Sequence, residues 1–216
     1  MKAIKLVGGL LSIPIMIAVS RAFYGNVIGI VELSGILKYF MYGVGFYVAL
    51  HLLFFRPTFI YVMGHELVHA ITSWVMGGKI TSFKVSEEGG SVSTTKTNTF
   101  IELSPYFIPI YAIILMAVYF VVASSYRING ATFIFLIGFA LTLHVVMTIE
   151  VMKTKQPDLM ESGYLFSIVA VYVLNIVIIA LLFSFLFRSF SMKRFFVDSF
   201  VFSKDIYSAI VRQLFF

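Results

Sequence analysis

Apolar stretches long enough to cross about 30 Å of hydrocarbon recur along this 216-residue chain, at roughly 5–23, 36–56, 58–77, 104–125, 131–152 and 163–187. Each crossing segment must satisfy its own backbone polar groups, which leaves only helices or a closed barrel, and runs of this length are helical. The expected fold class is therefore an all-α polytopic membrane protein with about six transmembrane helices. Only 12% of the residues are charged, so length counts spans here and not soluble domains. Lys2 and Lys5 precede the first run as they would in a signal peptide, but no small-residue cleavage site follows, and the run is read as a retained span.

The formal net charge of +6 falls mainly near span ends and in the C-terminal tail. Such charges flank membrane segments and do not form a nucleic-acid surface, so no nucleic-acid partner is expected. They divide almost evenly between the two sides and leave the orientation open. There is no cysteine, which excludes disulfides and thiolate ligands; a tightly held metal must use imidazole or carboxylate.

One apolar stretch contains His65-Glu66-Leu67-Val68-His69. Histidines four residues apart lie one above the other on a helix face, so both can reach one metal ion, and Glu66 between them is a candidate general base. Ionisable groups at membrane depth are costly, and a divalent cation is the simplest compensation. A plainer arrangement, two buried histidines bonded to backbone, leaves several polar groups unmatched.

A catalytic zinc takes three protein ligands and keeps a fourth position open. Two residues qualify as the third ligand. Asp158 lies just past the end of the fifth span, where the non-helical Gln156-Pro157 link can fold it back. His144 lies eight residues before Met152, as His69 lies eight before Gly77, so their depths match. Glu150 and Glu161 are weaker candidates. Asn175, alone and polar in the sixth span, can donate to an oxyanion, although a helix-packing hydrogen bond is the commoner role. Glu32, Lys38 and His51 are assigned no chemistry, and Trp74 reads as an interfacial anchor.

Around the motif, Pro57-Thr58 suits a helix start and Gly77-Gly78 a helix stop. Residues 79–98 turn to Thr, Ser, Val and Lys around Glu87-Glu88-Gly89-Gly90, which predicts a β-hairpin. Ser104-Pro105 is expected to open the fourth span, with a kink at Pro109. Residues 1–187 are taken as a membrane-embedded domain, and 188–216, mixing basic and Phe-rich positions, as an amphipathic tail in the interface.

Gly64-His65-Glu66-Leu67-Val68-His69-Ala70 in a membrane helix, then a hairpin, a span and a span ending in an aspartate segment, resembles the site-2 protease family of intramembrane zinc metalloproteases. The likeness covers about residues 58–160. It implies one zinc ion per chain held by His65, His69 and Asp158, with Glu66 as base. It also implies a transmembrane protein or peptide substrate held by the hairpin within the lipid bilayer. The family carries its third ligand in a Leu-Asp-Gly segment; this chain reads Pro157-Asp158-Leu159, which keeps His144 open as ligand or outer-shell residue. The expected location is the cell (inner) membrane of a prokaryote. A transporter or channel with a His/Glu pathway is the alternative, and it predicts paired repeats with discontinuous helices. A catalytically silent scaffold is a third reading, against which the intact Glu66 speaks.

Overall fold

The computed structural model describes residues 2–30, 35–54, 56–126, 129–154 and 156–215; Glu32 lies outside them. The chain runs α1 (Lys2–Val27), α2 (Ile36–Leu53), α3 (Thr58–Val75), β1 (Ile80–Val85), β2 (Gly90–Thr94), α4 (Thr99–Phe107), α5 (Ile110–Ser125), α6 (Gly130–Met152), α7 (Pro157–Glu161), α8 (Tyr164–Leu186) and α9 (Met192–Phe215). The protein is a helical membrane protein with one small antiparallel hairpin.

Among the described residues, α1, α2, α6 and α8 are each long and apolar enough to cross a membrane. The pair α4 and α5, bent by 67°, makes a fifth if it is one broken span. About six were expected. The difference is α3, which has a spanning length of 18 residues but is diluted by His65, Glu66, His69 and its hydroxyl residues.

The chain forms two compact units, Met1–Leu33 with Leu159–Phe216, and Ser34–Asp158. This division does not fall at the expected 187/188 boundary. In the first unit, the Phe23 ring packs at a tilt against Phe183 at 5.7 Å and Phe190 at 5.8 Å and edge-on against Phe195 at 6.4 Å. Residues 192–215 are helical, as the amphipathic pattern predicts, and one side of α9 packs on α1. Tyr207 donates to the Leu11 carbonyl, and the Arg21 guanidinium lies 4.3 Å from the centre of the Phe202 ring.

The second unit is organised by a close crossing of α2 and α6. A Cβ on Gly43 would run into the backbone of Phe135 and Phe139, and one on Gly138 into the backbone of Phe40. Small residues thus let two main chains touch, the usual device where lipid removes the hydrophobic drive between helices. Tyr47, Tyr61, Leu143 and Met147 form the adjoining core.

The helix α3 stops where the glycines predict. Gly77 takes a left-handed φ of 84°, its N–H bonds the Trp74 carbonyl, and the Gly78 N–H bonds that of Ser73, a Schellman stop. The hairpin follows, pairing Val85 with Gly90 and Phe83 with Val92, with an irregularity between Ile80 and Ser82. The fourth apolar stretch departs from expectation. Its helix opens at Thr99, not at Ser104-Pro105, because the Asn98 side chain accepts the Ile101 N–H and caps it. It then breaks at Ile108-Pro109, where proline supplies no amide, and resumes as α5.

Candidate metal centre

His65 and His69 sit one turn apart on α3 with ring centres 4.9 Å apart. Asp158 comes from the first turn of α7. Its Oδ2 lies 3.7 Å from His65 Nε2 and 3.4 Å from His69 Nε2. One donor atom from each of the three lies within 4.8 Å of the others, which makes them a group able to hold a metal ion.

Helix α4 determines how one imidazole faces this point. Pro105 has no N–H, so no amide at that position takes up the carbonyl of Ile101, four residues earlier. That carbonyl instead accepts His69 Nδ1–H at 2.9 Å and the Ser104 hydroxyl at 2.9 Å. Ser104 also meets Thr72 at 3.0 Å, tying α4 to α3. A carbonyl can only accept, so Nδ1 carries a hydrogen, and in the neutral ring His69 Nε2 presents its lone pair to Asp158. His65 Nδ1 is buried with no hydrogen-bond partner among the described residues.

With the ring neutral, two electron-pair donors, His69 Nε2 and Asp158 Oδ2, face each other at 3.4 Å. Such a contact needs positive charge between its members. Ligand atoms about 2.0–2.1 Å from a tetrahedral zinc lie about 3.3 Å apart, so the observed spacing fits that ion. Among the described residues no lysine or arginine forms an ion pair with Asp158. Without a cation, protons on the imidazoles must do the same work. Burial pushes the Asp158 carboxyl up, and the hydrogen bonds and charge of His65 and His69 outweigh it, holding the group below the usual carboxylate range.

Glu66 is buried, and β2 begins directly against it. A Cβ on Gly90 would lie 2.5 Å from Glu66 Cγ and 2.9 Å from its Oε1. The hairpin thus reaches the base through a residue with no side chain.

Tyr106 is a site residue that the sequence pattern does not reveal. Its hydroxyl donates to Asp158 Oδ2 at 3.1 Å, and its ring meets that of His65 edge-on at 4.9 Å. It is one of twelve tyrosines, and nothing local marks it out.

The other candidates lie elsewhere. His144 is buried on α6 and lines a small pocket with His65, Tyr61 and Tyr111, but it does not belong to the three-donor group. Glu150 pairs with His51 at 3.3 Å and Arg56 at 3.5 Å. Glu161 accepts Lys5 Nζ at its backbone carbonyl, in the first unit. Asn175, also in the first unit, donates to the Val171 carbonyl of its own helix at 2.9 Å. No family model, curated protein or solved structure matches this chain.

Proposed function

We propose that the protein is an intramembrane zinc metallopeptidase of the site-2 protease type, hydrolysing a peptide bond in or near a transmembrane segment of a membrane-protein substrate. The observation that carries this reading is the meeting of His69 Nε2 and Asp158 Oδ2 at 3.4 Å, with the imidazole tautomer set by Ile101. His65, His69 and Asp158 would hold the ion, a nitrogen and oxygen donor set suited to zinc. Bound there, zinc supplies a Lewis acid that acidifies water and polarises a carbonyl.

The rest is work for side chains and backbone. Glu66 takes a proton from the attacking water and returns it to the leaving amine. Its burial under Gly90 limits its access to bulk water. A transmembrane helix hides its peptide bonds in internal hydrogen bonds, so the substrate must unwind locally. The hairpin offers main-chain partners to such an extended segment, beginning next to Glu66.

One observation favours the transporter reading: α4 and α5 form a broken helix pair, as ion and substrate pathways often require. Transporters use such breaks in pairs related by a repeat, and no second broken pair occurs among the described residues. Glu66→Gln separates the two readings. The variant should keep about one zinc per chain while cleavage of a co-expressed transmembrane substrate falls about 10²- to 10⁴-fold. Undiminished cleavage would remove Glu66 from the mechanism. Zinc or proton flux in proteoliposomes that this substitution abolishes would support the transporter instead.

A further inference from the structure

We propose that Tyr106 is a positioning residue of the metal centre, its hydroxyl fixing which way Asp158 Oδ2 faces the bound ion. The inference rests on the metal-centre reading above. The oxygen that Tyr106 holds at 3.1 Å is the same one that lies 3.4 Å and 3.7 Å from the two imidazoles. A carboxylate oxygen has two lone-pair directions; the phenol takes one and leaves the other for a cation.

Asp158 needs such a hold. It stands in the first turn of α7, a five-residue helix, and its side chain is 30% exposed. Tyr106, in contrast, is fully buried, with its ring edge fixed against His65. The Ile101 carbonyl, on the same short helix, sets His69. Helix α4 therefore touches all three proposed ligands, and the break at Pro109 lets it lie at an angle to α5 that a straight span could not adopt. Outer-shell donors of this kind orient ligands and tune the metal.

Tyr106→Phe removes the hydroxyl and keeps the ring. In the full chain, zinc affinity measured by chelator competition should fall about ten- to a hundredfold, and the visible spectrum of the cobalt-loaded protein should shift. Tyr111→Phe, whose hydroxyl donates instead to the Ile60 carbonyl, is the control and should change neither. Unaltered affinity together with an unaltered cobalt spectrum in Tyr106→Phe would overturn the proposal while leaving the metal centre standing. Wild-type protein that takes up no zinc would remove the centre and this proposal with it. If Tyr106→Phe does not fold, 3,5-difluorotyrosine at position 106 retains the shape and strengthens the donor. The cobalt band should then move, and a band that stays in place rejects the role.

Discussion

The second unit holds two clusters made from the same kinds of side chain. In one, the carboxylate of Glu150 meets His51 and Arg56, and His51 in turn meets Tyr47 at 3.3 Å. In the other, the carboxylate of Asp158 meets His65, His69 and Tyr106. The first contains its own cation. Arg56 is mostly exposed in the short link between α2 and α3, and its guanidinium neutralises Glu150 without outside help. The second has two imidazoles and no arginine or lysine among the described partners, so its positive charge must come from protons or from a metal. Similar residues thus make a closed structural network in one place and an incomplete centre in the other. What separates them is the single guanidinium.

The contrast breaks most visibly in metal content. Asp158→Ala and His69→Ala should each reduce bound zinc from about one per chain to near zero, because two remaining donors cannot hold a catalytic ion tightly. His51→Ala and Glu150→Ala should leave zinc unchanged and lower thermal stability instead, by about 1–3 kcal/mol, as the partly buried partners of the Tyr47–His51–Glu150 chain are left unmatched. Elemental analysis and thermal melts of the four variants check both arms. Zinc that survives His69→Ala, or vanishes with His51→Ala, would show that the two clusters have been assigned the wrong way round.

A smaller effect tests the hairpin. Gly90→Ala places a methyl 2.5 Å from Glu66 Cγ, so either the carboxylate or the hairpin must shift. Gly90 does not use a left-handed φ, so the substitution carries no backbone strain of its own. Misplacing a reacting group by about 1 Å can cost about a hundredfold in rate. Gly90→Ala should approach that loss in cleavage while keeping its zinc. A variant that cleaves at the wild-type rate would show that the hairpin yields freely and does not fix the base.

The parts of this arrangement that could be read from sequence are those with a local signature. The spacing of His65 and His69, the Gly77-Gly78 stop and the turn at Glu87-Glu88-Gly89-Gly90 are each encoded within a few residues, and each has its structural counterpart. The proline at 109 foretold a kink and produced a full break. What stayed hidden is tertiary. His51 and Glu150 are 99 positions apart, and Tyr106 and Asp158 are 52 apart, so neither pairing leaves a trace in local pattern. The Ile101 carbonyl is a backbone atom and has no side-chain signature. One signal did exist for it: Pro105, which withholds the amide that Ile101 would otherwise accept. The start of α4 is legible too, in Asn98, a capping residue that lies ahead of the apolar run opening at Ser104.

Pro105 also yields the mildest of the expected effects, and it bears on why the second cluster remains open. Pro105→Ala restores an N–H aimed at the Ile101 carbonyl, which already accepts His69 and Ser104. Three donors then compete for two lone pairs. A net hydrogen bond is worth about 1 kcal/mol, and sharing costs roughly half of it, so zinc affinity should fall about twofold. The helix itself should gain, since proline is unfavourable in a helix interior. Affinity and thermal stability should therefore move in opposite directions, whereas simple damage to the fold lowers both. If the two fall together, the carbonyl of Ile101 is packing and nothing more. If affinity alone falls, the proline is retained at a cost to the helix because it leaves free the one acceptor that turns a half-buried histidine toward the aspartate.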